Sequence, residues 1–199
     1  MKPVAVLYAT REGQTRKIAE RVAGHLAEFG YESKTLNVGD DDAIETFDLN
    51  DYSGAILAAS VHAGEHGREM IRFVKAHVSD LNRIPNCFIS VTLTQASVDM
   101  PQGSQRDHEI AVAAVKQVMD TFFIETGWTP HQAHGVAGAL FYTKYNPLVR
   151  MVLKRIAKKA GGATDTSRDY EYTDWAALER IVEDFAGQLP KTANAGPAN

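Results

Sequence analysis

The sequence predicts a three-layer α/β sandwich in which five parallel strands are covered by helices on both faces. Three observations lead to it. Apolar runs of strand length alternate with longer segments of helical period. The third run, Ala55–Ala59, is apolar at every position, as a strand buried on both faces requires. The chain of 199 residues, 44% of them apolar, is long enough for one domain with a sizeable core.

The first strand is Val4–Tyr8. From Gln14 to Phe29, the residues Ile18, Val22, Leu26 and Phe29 recur at spacings of three and four, laying one apolar stripe along a helix that Gly30 stops. Glu32–Val38 is a short second strand. The acidic stretch Asp40, Asp41, Asp42, Glu45, Asp48 and Asp51 reads as a solvated connection, because it lacks the ligand spacing and turn glycine of a calcium loop. Ser53–Ala59 is the third strand, followed by a glycine-containing turn and a helix over Gly67–Leu81. Pro85 opens the fourth strand, Asn86–Leu93. Thr94–Asp107, with Pro101 and Gly103, reads as a loop of about 14 residues, longer than a mere connection needs.

His108–Thr126 is the next helix and His131–Leu140 the fifth strand. Alternation then breaks. Pro147–Ala160 is a helix, Gly161–Thr173 an irregular or extended return, and Asp174–Leu189 a final helix capped by Asp174. Residues 1–189 thus form one domain, and residues 190–199, small, polar and proline-containing, read as a disordered tail.

Composition narrows the function. With 21 basic and 25 acidic side chains the formal charge is −4, which argues against a nucleic-acid coat protein. A single cysteine, Cys87, excludes an intramolecular disulfide framework and an all-thiolate zinc site, and its place on a buried strand makes it a core residue. His131 and His134 have no nearby third ligand, and no Gly-x-Ser-x-Gly elbow is present. Trp128 and Trp175 read as packing residues. No apolar stretch reaches the roughly 20 residues of a membrane span. Lys2-Pro3 and the short run after it lack the shape of a signal peptide. The expected setting is cytoplasmic, with attachment to the inner face of the cell membrane left open.

In a doubly wound sheet, ligands sit beyond the carboxyl ends of the strands, which singles out Ala9–Thr15, Ser60–Gly67 and Leu93–Gln105. The first of these, Thr10-Arg11-Glu12-Gly13-Gln14-Thr15, joins a strand to a helix. Backbone N–H groups at a helix start lack partners, and the helix dipole adds positive potential, so an anion is the natural guest. Thr10 and Thr15 offer hydroxyls, and Gly13 allows a tight turn. The loop has neither the Lys-Ser/Thr pair of a P-loop nor a Gly-x-Gly-x-x-Gly pattern. The alternative for this loop is an ordinary turn in which the threonines only cap the helix.

Thr10, Gly13 and Thr15 resemble the Ser/Thr-x-Thr-Gly-x-Thr loop with which flavodoxin-like proteins hold the phosphate of FMN. Glu12 departs from that pattern, placing a carboxylate where a hydroxyl is usual. A closer resemblance is to the flavodoxin-like menaquinone-dependent protoporphyrinogen oxidases. It rests on Thr10–Thr15, on Ala59-Ser60-Val61-His62-Ala63-Gly64 and on Val136-Ala137-Gly138-Ala139-Leu140. It also rests on Gly161-Gly162-Ala163-Thr164-Asp165-Thr166 with Tyr172-Thr173-Asp174-Trp175, for which ordinary flavodoxins have no equivalent.

This resemblance implies a flavodoxin-like sheet of order 2-1-3-4-5 with a helical insertion after the fifth strand. It implies FMN as cofactor, held by Thr10, Arg11, Glu12, Gly13, Gln14 and Thr15. The flavin ring is then walled by Ser60, Val61, His62, Ala63 and Gly64 on one side and by Thr92, Leu93, Thr94, Gln95 and Ala96 on the other. The implied reaction takes hydride from a porphyrinogen substrate to flavin N5, which carries the chemistry, and passes the electrons to a quinone acceptor. Gly64 offers its backbone near N5. The walls lack stacking aromatics, which leaves room for a substrate, and His62 stands where a small shift changes its charge.

The segment Tyr142–Ala160 carries Lys144, Arg150, Lys154, Arg155, Lys158 and Lys159 with no acidic residue. Val149, Val152, Leu153, Ile156 and Ala160 share one face of its helix. Such a basic amphipathic helix, 147–160, suits an anionic membrane surface, a carboxylate-bearing ligand, or simply a wet side of the domain. A flavodoxin-type electron carrier, a flavin-dependent quinone reductase and an interaction domain with a decayed site remain as rivals. No motif in the sequence specifies an oligomeric state.

Overall fold

Strand β1 (Val4–Ala9) lies at the centre of a parallel sheet, paired on one side with β2 (Ser33–Asn37) and on the other with β3 (Gly54–His62). This is the arrangement in a computed structural model that describes residues 2–40, 44–45, 47–99, 104–159 and 163–190. Beyond β3 come β5 (Asn86–Thr92) and β6 (Gln132–Ala137), giving the order β2-β1-β3-β5-β6, the predicted 2-1-3-4-5 arrangement of five parallel strands. A two-residue strand β4 (Glu65–His66) adds antiparallel pairing to the end of β3.

Helix α1 (Gln14–Glu28) covers one face of the sheet, packing Ile18, Ala19, Val22 and Leu26 against Val4, Val6, Ile56 and Ala58. The last helix, α6 (Trp175–Ala186), joins it there through Leu178, Val182 and Phe185, and Asp174 caps it by accepting from the Ala177 N–H. On the opposite face lie α2 (Arg68–Leu81) and α4 (Gln105–Thr126), over Leu7, Leu57 and Phe88. Phe88 stacks on Phe122 with ring centroids 4.5 Å apart and meets Trp128 edge-on, so the predicted packing role of Trp128 holds. Cys87 is fully buried, and burial pushes its thiol up to about 12.

Four boundaries differ from the sequence expectation. The third strand runs on to His62 because Ala63 and Gly64, with φ of 51° and 84°, form a two-residue hairpin turn that returns the chain as β4. A hairpin of this kind asks for positive φ at both central residues, and Ala63 adopts it without glycine's freedom. The expected loop over 94–107 instead starts as a short helix α3 (Thr94–Asp99); residues 100–103 fall outside the described part. α4 begins at Gln105 rather than His108, set by a capping box in which Ser104 and Asp107 exchange bonds.

The fifth strand divides at Gly138. β6 stops at Ala137, while β7 (Ala139–Leu140) pairs with β8 (Tyr170–Glu171) in a separate ribbon. Gly138 donates to the Thr92 carbonyl and accepts from the Tyr172 N–H, so it is where the chain leaves the main sheet. Between the two ribbon strands lies the insertion, a 3-10 turn at Tyr142–Lys144 followed by α5 (Pro147–Lys159). Of the acidic connection, Asp48 caps a 3-10 turn at Leu49–Asp51; residues 41–43 and 46 fall outside the described part, as do 160–162 and the expected tail over 191–199.

Two buried polar contacts tie these layers together. His66, 5% exposed, bonds Ser90 on β5 through Nε2 at 2.9 Å and lies against Phe88 and Phe122. Gln14, at the start of α1, donates through Nε2 to the Thr173 hydroxyl at 2.9 Å, and that hydroxyl donates to the Ala137 carbonyl at 2.7 Å.

Burial lowers the His66 pKa to about 4, so between there and the ordinary value of 6.5 the unfolded chain binds the extra proton. The stability that depends on neutral His66 is complete above pH 6.5 and is lost as the pH falls towards 4. Thermal melts of the wild type should lose about 3 kcal/mol over that window, and H66Q, which keeps a polar partner for Ser90, should show a shallower decline. Q14A should cost about 1–2 kcal/mol in urea melts through loss of the buried bond to Thr173.

Candidate functional site

Because β1, β3 and β5 are parallel and in register, their carboxyl ends open on one edge of the sheet. The loop from Thr10 to Gly13, the β3–β4 hairpin and the segment after β5 all emerge there. The loop turns on Gly13, whose φ of 103° demands glycine, and its N–H donates to the Thr10 hydroxyl at 3.0 Å. Thr10 thus shapes the turn. Thr15 and Gln14 are buried in the first turn of α1, but the Gln14 amide is committed to Thr173, so only its backbone faces the loop.

The helix starts of the fold differ in how their amides are used. α4 and α6 carry side-chain caps, and α2, uncapped, has Glu69 in its first turn. α1 has neither a side-chain cap nor an acidic residue in its first turn. Its free N–H groups and the positive end of its dipole are therefore open to an exogenous anion. Around Gly13 a Cβ would find nothing within 4 Å, so the loop also has the space a phosphate needs.

Glu12 would oppose such a guest, but its carboxylate is engaged elsewhere. It lies 3.3 Å from His62 Nε2, and the Tyr145 phenol lies near enough for the Glu12 charge to raise its pKa. His62 Nε2 also lies 3.2 Å from the Ser60 hydroxyl. Burial lowers the His62 pKa, and the neighbouring Glu12 charge offsets only part of the shift, so the imidazole is neutral at pH 7. Burial raises the Tyr145 phenol to about 12, with the Glu12 charge adding to it, so it stays protonated. Arg11 is exposed and, with His62, Arg68 and Arg72, lines a cleft of about 440 Å3 on the α2 side.

The other expected wall residues gather at the same edge. Val61 is half-buried and pairs with His66, while Ala63 and Gly64 form the exposed hairpin tip. Ser60 stands level with Val91 on β5, which brings Thr92, Leu93, Thr94, Gln95 and Ala96 beside the hairpin. Thr92 is buried, and its hydroxyl accepts from the Thr94 N–H. Leu93 and Thr94 are exposed, and Gln95 lies against Gly135, where any Cβ would collide with its amide. Neither wall presents an aromatic ring.

Sequence reasoning missed Tyr145, Lys144 and Thr173. The Lys144 ammonium donates to the Glu12 carbonyl, so the basic segment reaches the first loop. The available signs were the run of basic residues after Tyr142, which includes Lys144, and the Tyr172-Thr173-Asp174-Trp175 segment, which gave Thr173 no role; nothing in the pattern pointed to Tyr145.

The wheel for α5 also needs correction. Val149, expected on the covered face, is 40% exposed, while Arg150 turns inward to donate to the Tyr145 carbonyl. Leu148 and Met151 are 73% and 53% exposed. The side chains of Val152 and Ile156, and Ala160 as a whole, fall outside the described part.

A family model described as a flavodoxin domain matches residues 5–167. A protoporphyrinogen IX dehydrogenase [quinone] of Leishmania major is 34% identical over 182 residues, which cover 91% of this chain and 73% of that one. An Escherichia coli protein of the same name is 32% identical over 181 residues, covering 91% of this chain and 93% of its own. Among solved structures, oxidised Flavodoxin 2 from Bacillus cereus superposes with a TM-score of 0.51 at 16% identity, over 94% of this chain and 99% of that one. The last match speaks to the fold alone. With a family model spanning most of its length and its own parallel sheet in the expected order, the chain belongs to the flavodoxin family.

Proposed function

We propose that the protein is an FMN-dependent dehydrogenase that oxidises protoporphyrinogen IX to protoporphyrin IX and passes the electrons to a quinone. The observation that carries the reading is the α1 start, uncapped and free of acid, in a chain whose 32–34% identical relatives bear the name protoporphyrinogen IX dehydrogenase [quinone]. When bound, FMN would supply a two-electron acceptor for hydride from the porphyrinogen, reoxidised by a quinone, and three such cycles, each reducing one quinone, account for the six electrons removed.

The chain's own residues supply position and electrostatics. The amides of residues 11, 12, 14 and 15 and the Thr15 hydroxyl bind the phosphate, while the Gly13 N–H, committed to the Thr10 hydroxyl, fixes the turn. The hairpin at Ser60–Gly64 and the segment Thr92–Ala96 hold the ring between them. Gly64, with φ of 84° and open space where a side chain would be, brings backbone against the cofactor. His62 adds no positive charge beside the ring at pH 7. Val61, Leu93 and Thr94 leave one side unstacked for the macrocycle.

The quinone acceptor is lipid-soluble, which favours work at a membrane surface. No helix among the described residues is long and apolar enough to cross a membrane. α5 instead exposes Leu148 and Met151, three residues apart, beside exposed Lys154 and Arg155. Apolar side chains ringed by cations suit the interface of an anionic bilayer. A carrier flavodoxin would need no such helix, and the unstacked ring face argues against one.

Addition of FMN to the cofactor-free protein should give flavin absorption bands. Anaerobic mixing of the loaded protein with protoporphyrinogen IX and a menaquinone analogue should raise porphyrin fluorescence; flavin binding without turnover would assign it to the carriers. In co-sedimentation, vesicles containing phosphatidylglycerol should retain the protein at low salt and phosphatidylcholine vesicles should not. L148S/M151S should cut the retained fraction several-fold, and equal retention would remove the lipid-facing role of α5.

A further inference from the structure

The insertion is fastened at its start. The Tyr142 side chain is fully buried and its hydroxyl donates to the Ala163 carbonyl at 2.8 Å. The next residue, Thr143, donates to Asp169 from its backbone N–H at 2.9 Å and from its hydroxyl at 2.8 Å. With its two predecessors held, Lys144 has a fixed backbone from which its stem crosses to the first loop. There its ammonium meets the Glu12 carbonyl, 132 positions earlier in the chain, and lies 4.3 Å from the centroid of the Phe141 ring. Among the described residues Lys144 forms no ion pair.

The charge balance at this loop is otherwise unfavourable for a dianion. A helix start offers the equivalent of about half a positive charge, and a phosphate monoester carries nearly two negative ones. The nearest carboxylate, Glu12, adds a third negative charge and has only neutral groups beside it, the His62 imidazole and the Tyr145 phenol. Arg11 lines the cleft on the α2 side. That leaves Lys144, whose ammonium meets the carbonyl of Glu12, the residue before Gly13, and acts on the Asp169 carboxylate only at a distance, lowering its pKa without an ion pair.

We propose that Lys144 is the counter-charge for the phosphate of the flavin mononucleotide, supplied from the insertion rather than from the loop that binds it. The inference rests on the assignment of FMN to this loop. A flexible four-carbon stem lets the ammonium move from the Glu12 carbonyl to a phosphate oxygen within its present reach, exchanging a bond to a neutral acceptor for one to an anion. The Glu12 carboxylate then serves to hold the hairpin and Tyr145 against the loop, and its charge is offset by Lys144. Cofactor binding and placement of α5 become linked, because Lys144 and Arg150 bracket Tyr145 in the same segment.

The test compares FMN with riboflavin, which has the same ring and ribityl chain but no phosphate. Affinities are measured by quenching of flavin fluorescence for wild type, K144M and K144R, with thermal melts to check folding. K144M should weaken FMN binding about tenfold or more and leave riboflavin unchanged, while K144R restores most of the loss. The salt dependence of FMN binding should also flatten in K144M. Equal losses for FMN and riboflavin, or no loss for either, would overturn the assignment and make Lys144 a structural latch. A wild type that does not prefer FMN to riboflavin would overturn the loop assignment itself, and with it the role of Lys144.

Discussion

No side chain among the described residues caps the first turn of α1, and the surrounding elements are arranged about that open helix start. The parallel sheet brings β1 to the centre and forces its connection to a helix onto the open edge. Gly13, with φ of 103°, then turns the chain into the helix. Every neighbouring element answers the positive potential of that helix start. The hairpin after β3 meets it through His62 and Glu12, the insertion through Lys144 and Tyr145, and the carboxyl-terminal segment through Thr173 and Gln14.

Glu12 illustrates how one local departure is absorbed by tertiary structure. A carboxylate beside an anion site is unfavourable if left to itself. Here two partners from distant parts of the chain take it up, one on β3 and one just before α5. Both partners are neutral, so the carboxylate is held in place without being cancelled. The result stiffens the junction between the loop, the ring wall and the insertion.

Much of this was legible in the sequence where local rules are strong. The apolar run Ala55–Ala59 could only be a strand buried on both faces, and the stripe Ile18, Val22, Leu26 fixed the inward face of α1. Asp174 declared the start of the last helix. The errors fall where tertiary context overrides local signal. Pro101 and Gly103 made the stretch after β5 look like open loop, although Thr94–Asp99 contains no breaker and forms a helix; Ser104-x-x-Asp107 carried a capping box that marked the true start of α4. Gly138 divides what reads as one strand because a partner 30 or more residues later pairs with its second half. The topology rule for parallel sheets already placed the first loop, the turn after β3 and the segment after β5 at one edge. The places of Lys144 and Tyr145 were not legible, since nothing local records that a residue 132 positions away lies beside Glu12.

Gly54 lies at the opposite edge of the sheet, where an added Cβ would press on Leu189 and Phe185. Ser53, its neighbour, bonds the carbonyl of Pro3, and the Tyr31 hydroxyl donates to the carbonyls of Ala186 and Pro190. Both extremities of the folded chain therefore converge on the side remote from the ligand crevice. A label or tether attached near Lys2 or Pro190 would sit away from the mouth of the crevice.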